Sequence, residues 1–168
     1  KLLGARMSYI RIRVPEHISS VLSHIDVPGK KVPTNDLHIS LLYISEKANS
    51  PEELKHISRV VHRVLYNRFN TTVTFSKVTC FEKSTDGYPI IIKFENAELQ
   101  QINKDLKESF THEGISFDNT YPDFNLHITL SYYNSAIEDF QIPEMSFNAI
   151  GVQLIENKKE VDWFYLKQ

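Results

Sequence analysis

The sequence of 168 residues has one cysteine, Cys80, so no intramolecular disulfide can form, and a chain of this size holds its core by burial alone. A reducing compartment fits that usage. Neither a P-loop nor a dinucleotide fingerprint occurs, and no metal or cofactor is expected. No stretch approaches 18 apolar residues and no secretory pattern opens the chain, so a soluble cytoplasmic protein without membrane attachment is expected. Neither sign of charge dominates: 19 Lys and Arg against 21 Asp and Glu give a formal charge of −2. That balance excludes a broad basic surface for duplex nucleic acid, so an anionic ligand has to be caught by a few placed groups.

What is present is globular, with 41% apolar and 24% charged residues, and no linker divides the chain; residues 1–168 read as one domain. Met7 to Val14 alternates with the period of a half-buried strand. A short helix is expected over Glu16 to Ile25, a Pro- and Gly-punctuated loop over Val27 to Asp36, and a strand from Leu37 to Ile44. Ser50-Pro51-Glu52-Glu53 carries the residues of a capping box, and Leu54, Ile57, Val60, Val61, Val64 and Leu65 mark one face of the helix that follows.

Strands are expected at Thr72–Cys80 and Tyr88–Phe94 around the Asp86-Gly87 turn, then a helix at Ala97–Phe110 with Leu99, Ile102, Leu106 and Phe110 inward. Phe117 to Asn125 reads as a loop and Leu126 to Tyr133 as a strand. Phe147–Ile155 and Val161–Lys167 read as two closing strands around Asn157-Lys158-Lys159. Strands interleaved with helices and joined mainly by hairpins give an α+β fold with largely antiparallel sheets.

One internal repeat stands out. Asp36-Leu37-His38-Ile39-Ser40-Leu41-Leu42-Tyr43 matches Asn125-Leu126-His127-Ile128-Thr129-Leu130-Ser131-Tyr132 at five of eight positions. In a strand, His38 and Ser40 share one face, as do His127 and Thr129, while the intervening aliphatic residues take the other. Each half therefore offers an imidazole beside a hydroxyl. Two such pairs suit phosphodiester cleavage. One neutral imidazole takes a proton from the attacking hydroxyl, the other, protonated, supplies the leaving oxygen, and the hydroxyls hold the non-bridging oxygens.

Two His-x-Ser/Thr motifs at this separation resemble the signature of the 2H phosphoesterase superfamily. The resemblance covers essentially the whole chain. It implies a bilobal fold of two pseudo-symmetric halves around a central cleft with helices outside, one lobe carrying His38 and Ser40 and the other His127 and Thr129. It also implies a phosphodiesterase acting on a small nucleotide; a monomer is expected. Within the superfamily, the phage anti-CBASS nucleases that degrade cyclic di- and trinucleotide signals are similar in placing a Tyr on the first strand, a Glu after the second motif and a Trp near the C-terminus. Tyr9, Glu156 and Trp163 match these places, with Glu160 competing for the acidic one. Viral 2′,5′-oligoadenylate phosphodiesterases and RNA 2′,3′-cyclic phosphodiesterases share the same motifs and remain open, as does a module that binds a nucleotide without cutting it.

Further substrate contacts are expected from local charge and aromaticity. Arg11 shares the face of Tyr9 and can flank a phosphate, as can Arg13, for which solvation is the simpler reading. Lys30 and Lys31 precede the first motif, and Tyr121 and Phe124 precede the second as a stacking lip or as loop packing. The other five histidines show no metal-ligand spacing; His56 and His62 are not at the i, i+4 separation of a helical pair.

Overall fold

A computed structural model describes residues 7–119 and 123–168. Among these residues, hydrophobic alternation becomes nine strands in one sheet, with three α-helices. The strands are β1 (Ser8–Arg13), β2 (Lys30–Lys31), β3 (His38–Ser45), β4 (Thr71–Cys80), β5 (Tyr88–Lys93), β6 (His127–Tyr133), β7 (Phe140–Ala149), β8 (Gly151–Glu156) and β9 (Lys159–Tyr165). The helices are α1 (Glu16–Leu22), α2 (Pro51–Leu65) and α3 (Ala97–His112).

The sheet order is β7-β4-β5-β6-β3-β1-β8-β9, with β2 added to β6, and every pairing is antiparallel. The two motif strands, β3 and β6, stand side by side at the centre, joined by the single pair Ile39 and Ile128. Each leads a four-strand half. Beyond that pair, β6 takes β2 as its neighbour, so the two halves part at a seam.

One face of the sheet is sealed by helices. Ile10, Ile12, Ile39, Leu41 and Ile128 are fully or almost fully buried there with Ile57, Val60 and Val61 of α2 and Leu99, Ile102 and Leu106 of α3. The α2 helix starts as its sequence dictates. Ser50 Oγ accepts from the Glu53 amide at 3.1 Å and Glu53 Oε1 accepts from the Ser50 amide at 2.7 Å, two donors satisfied that a helix start otherwise leaves open.

Four boundaries differ from the sequence reading, the last strand among them, which runs Lys159–Tyr165 rather than Val161–Lys167. The stretch expected as one strand, Phe147–Ile155, is cut at Ile150: β7 extends back to Phe140 to pair with β4, while β8 crosses to pair with β1 in the other half. Alternation of apolar residues is blind to such a change of partner. The Val27–Asp36 loop contains β2 and a short 3₁₀ turn, Thr34–Asp36. Gly29 (φ +92°) makes β2 possible, since a Cβ there would lie 2.2 Å from the Tyr132 carbonyl oxygen. The helix expected to Ile25 ends at Leu22.

Candidate active site

The site begins with the register at the seam. Because Ile39 pairs with Ile128 in antiparallel fashion, His38 lies across from Thr129 and Ser40 across from His127. All four point away from the buried aliphatic face. The imidazoles thus occupy a diagonal of this square, with backbone separation of roughly 7–8 Å by ordinary sheet geometry, room for a phosphate between them.

Both rings are held in the same way. His38 Nδ1 donates to the Asp36 carbonyl at 2.6 Å, and His127 Nδ1 donates to the Asn125 carbonyl at 2.8 Å. With the proton fixed on Nδ1, the neutral ring presents the Nε2 lone pair to the site. Each ring also packs on an aromatic: Tyr9 lies 5.4 Å from His38 and Phe81 lies 4.7 Å, edge-on, from His127. Burial lowers the pKa of both histidines below the usual value, opposed by the carbonyl bonds; nearby Arg11 and His127 lower His38 further, and Lys93 lowers His127.

Arg11 is fixed rather than free. Its Nε donates to Gln153 Oε1 at 2.8 Å and its Nη1 pairs with Asp36 Oδ1 at 3.1 Å. Asp36 therefore orients His38 through its carbonyl and Arg11 through its carboxylate. Arg11 pairs with Ser40 on one side and Gln153 on the other, and Gln153 pairs with Trp163. These four form one cross-strand row, which places Trp163 on the same face as Ser40 at about 14 Å, three strand spacings away. The Trp163 ring lies over Gly151, where a Cβ would come within 2.7 Å of it, and stacks on Tyr165 with centroids 5.7 Å apart. A groove of about 750 Å³ between α2 and β9, lined by Arg59, His62, Arg63, Asp162 and Phe164 and bordered by residue 163, holds no motif residue.

Other expected contacts are placed elsewhere. Glu156 turns to the helical face, where its carboxylate accepts from the Ser8 hydroxyl and from the backbone and side chain of Asn49. Pairing with Ser8, which is completely buried, puts Glu156 on the opposite side of the sheet from Tyr9. Glu160 is the acidic side chain on the site face, accepting from Gln153 Nε2 at 2.9 Å. Lys31 is not available to a phosphate: its ammonium donates to the Ser23 and Ile25 carbonyls past the end of α1. Lys30 pairs with Tyr132 and shares its face. Phe124 packs against the hydrophobic core, and its carbonyl accepts from Gln100. Arg13 is exposed beside His38, and Tyr121 lies outside the described residues.

Gln153 and Lys93 escape the sequence reading because each reaches the site by pairing across strands, and Phe81 because its ring meets His127 from just past the end of β4; no local pattern records either. Tyr43 and Tyr132 close the two copies of the repeat, so a signal existed; period-two alternation assigns them to the wrong face. Among the described residues, no group of three or more His, Cys, Asp or Glu side chains is placed to hold a metal ion, and no helix is long and apolar enough to cross a membrane.

An antiparallel α+β sheet bringing two His-x-Ser/Thr strands together at a seam is the arrangement of the 2H phosphoesterase superfamily. The profile of the 2'-5' RNA ligase superfamily matches residues 14–159, and the chain belongs to that superfamily. Solved structures share the fold over nearly the whole chain. The crystal structure of E. coli LigT complexed with 3'-AMP superposes with a TM-score of 0.78 at 17% identity, covering 97% of this chain and 99% of that one. TT0787 of Thermus thermophilus gives 0.77 at 18% identity, covering 96% and 98%. The MHV ns2 PDE domain gives 0.57 at 12% identity, covering 90% and 98%. No curated protein matches the sequence.

Proposed function

We propose that the chain is a metal-independent phosphodiesterase acting on a small nucleotide, with His38 and His127 as its general base and acid. The observation that supports this most is the diagonal placement of two imidazoles, each with Nδ1 spent on a backbone carbonyl and each facing the hydroxyl of the other half. A phosphate at the centre of the square meets one Nε2 on either side. The neutral ring removes the proton of a ribose 2′-OH as its oxygen bonds to phosphorus. The bond from phosphorus to the leaving oxygen breaks, and the protonated ring supplies that oxygen with its proton. Ser40 and Thr129 donate to the non-bridging oxygens, with Arg11 adding positive charge.

Among substrates, the reading favoured is a 3′–5′ phosphodiester in a cyclic di- or trinucleotide, the chemistry of a phage enzyme that destroys immune signals. Tyr9 beside His38 supplies a surface for a nucleobase, and Trp163 supplies a second at the far end of the row. Glu156 does not contribute to this reading; Glu160 and Gln153 take its place as polar groups on the site face. A linear 2′–5′ oligoadenylate or a 2′,3′-cyclic nucleotide would use the same four central residues.

The test is a panel of cyclic dinucleotides, 2′–5′ oligoadenylate and 2′,3′-cyclic AMP, incubated with the protein in EDTA and resolved by chromatography. Cleavage should fall by at least ~10²-fold in H38A and in H127A, the low end of what acid–base groups contribute. Activity that survives both substitutions would overturn the proposal, and a ligand bound tightly but recovered intact would turn it to sequestration.

A further inference from the structure

The last residue of each repeat copy lies on the site face for a reason that alternation alone does not supply. Tyr43 is five positions beyond His38, and Tyr132 five beyond His127, an odd spacing that sends a regular strand's side chain to the opposite side. In both strands a β-bulge resets the count. On β3, Leu42 pairs with Ile10 and Ser40 with Arg11, leaving Leu41 as the extra residue. On β6, Ser131 pairs with Ile90 and Thr129 with Ile91, leaving Leu130 extra. The bulged leucine is third after the histidine in both halves, and bulges characteristically re-aim a side chain beside a functional site.

Each bulge is also built in rather than tolerated. The Leu41 carbonyl accepts from the side chain of Asn103, a buried residue of α3, at 2.6 Å. The Leu130 carbonyl accepts from the Val32 amide at 2.9 Å. Two unrelated donors thus maintain one geometry twice. Its product is a phenol on the face of the motif hydroxyl of its own half: Ser40 Oγ donates to Tyr43 Oη at 3.0 Å, and Tyr132 shares the face of Thr129.

We propose that Tyr43 and Tyr132 are a duplicated pair of positioning residues that donate their phenolic protons to Ser40 and Thr129 when phosphate is bound, directing each motif O–H onto a non-bridging oxygen. A hydroxyl has one proton and two lone pairs. Without a ligand Ser40 spends its own proton on Tyr43, and none remains for a phosphate. Phosphate oxygens accept only, so a phosphate beside Ser40 selects the order phenol to hydroxyl to phosphate, and a chain of this kind polarises its terminal O–H. Burial, together with the neighbouring Tyr43 and acidic side chains, raises the Tyr132 pKa and keeps that phenol protonated, as a donor must be.

This inference rests on the phosphodiesterase reading, so its test has two readouts. Kinetics on 2′,3′-cyclic AMP and affinity for 3′-AMP are measured for wild type, Y132F, T129V and the double variant, and for the matching Y43F and S40A set. Y132F should lower kcat roughly tenfold with KM little changed, the scale of one hydrogen bond to a charged group. In the T129V background the same change should add nothing, since the phenol acts only through the hydroxyl. An undiminished Y132F effect in T129V, or full activity in Y132F and Y43F, would overturn the inference while H38A still tests the enzyme. If wild type cleaves no member of the panel of cyclic dinucleotides, 2′–5′ oligoadenylate and 2′,3′-cyclic AMP, the phosphodiesterase reading falls and 3′-AMP affinity decides the inference by the same cycle. A chain that neither cleaves nor binds 3′-AMP overturns both.

Discussion

His38 and His127 sit under the same constraint twice: a ring pinned through Nδ1, an aromatic wall, and a cation close by that disfavours protonation. Acid–base catalysis by this pair needs one ring neutral and one charged, a state most populated between their two pKa values. Both pKa values are lowered by burial from 6.5, so kcat/KM on 2′,3′-cyclic AMP should peak below pH 6.5 and decline as pH rises beyond it. A maximum above pH 7 in a profile from pH 4.5 to 9 would contradict this account. That His38 shares a face with Ser40, and His127 with Thr129, is legible in the sequence because a strand's period of two fixes which residues share a face. Glu156 was misread for a related reason. Its spacing fits an acidic site residue, but its pairing with the buried Ser8 sets its face, and that pairing spans almost the entire chain.

Elements were legible where their signals are local. The capping box opens α2, the aliphatic faces of α2 and α3 bury as their spacing requires, and Asn157 and Lys158 turn the last hairpin with φ of 51° and 65°. Bulges are the exception, since an extra residue is defined only against a partner strand. The support of the β3 bulge by α3 gives a prediction at this scale. N103A should leave the buried Leu41 carbonyl without its donor and lower stability by about 1–3 kcal/mol, read by urea denaturation. An unchanged midpoint would mean that another group satisfies the carbonyl. G29A should be destabilising as well, measured in the same way. It adds a Cβ against the Tyr132 backbone at a φ that only glycine adopts freely. Tyr43 and Tyr132 were visible as repeat positions and unreadable as site residues until the bulges were known.

At the scale of the whole molecule, folding couples to the site through protons. The unfolded chain carries its histidines at an ordinary pKa and so binds more protons than the folded one where His38 and His127 are depressed. The stability tied to these groups is fully present above about pH 6.5, the usual histidine value, and is lost as pH falls through their folded values. Glu113, Asp105 and Asp139 are shifted downward from carboxylate values, so their contributions disappear only in more acidic solution. Thermal unfolding between pH 5 and 7 therefore isolates the histidines. Tm should rise with pH across this range in wild type and rise less in the H38A/H127A double variant; equal slopes would assign the effect elsewhere. By itself the sequence determined the class of fold and which residues share a face: imidazoles and hydroxyls alternating with aliphatic residues on strands, amphipathic helices to cover them, and a duplication that sets two such units in one chain. Only the tertiary structure decided how the units meet. The Ile39–Ile128 register, the row from Ser40 to Trp163, the face of Glu156 and the two bulges all depend on pairing between residues far apart in sequence, and local periodicity carries no information about a partner strand.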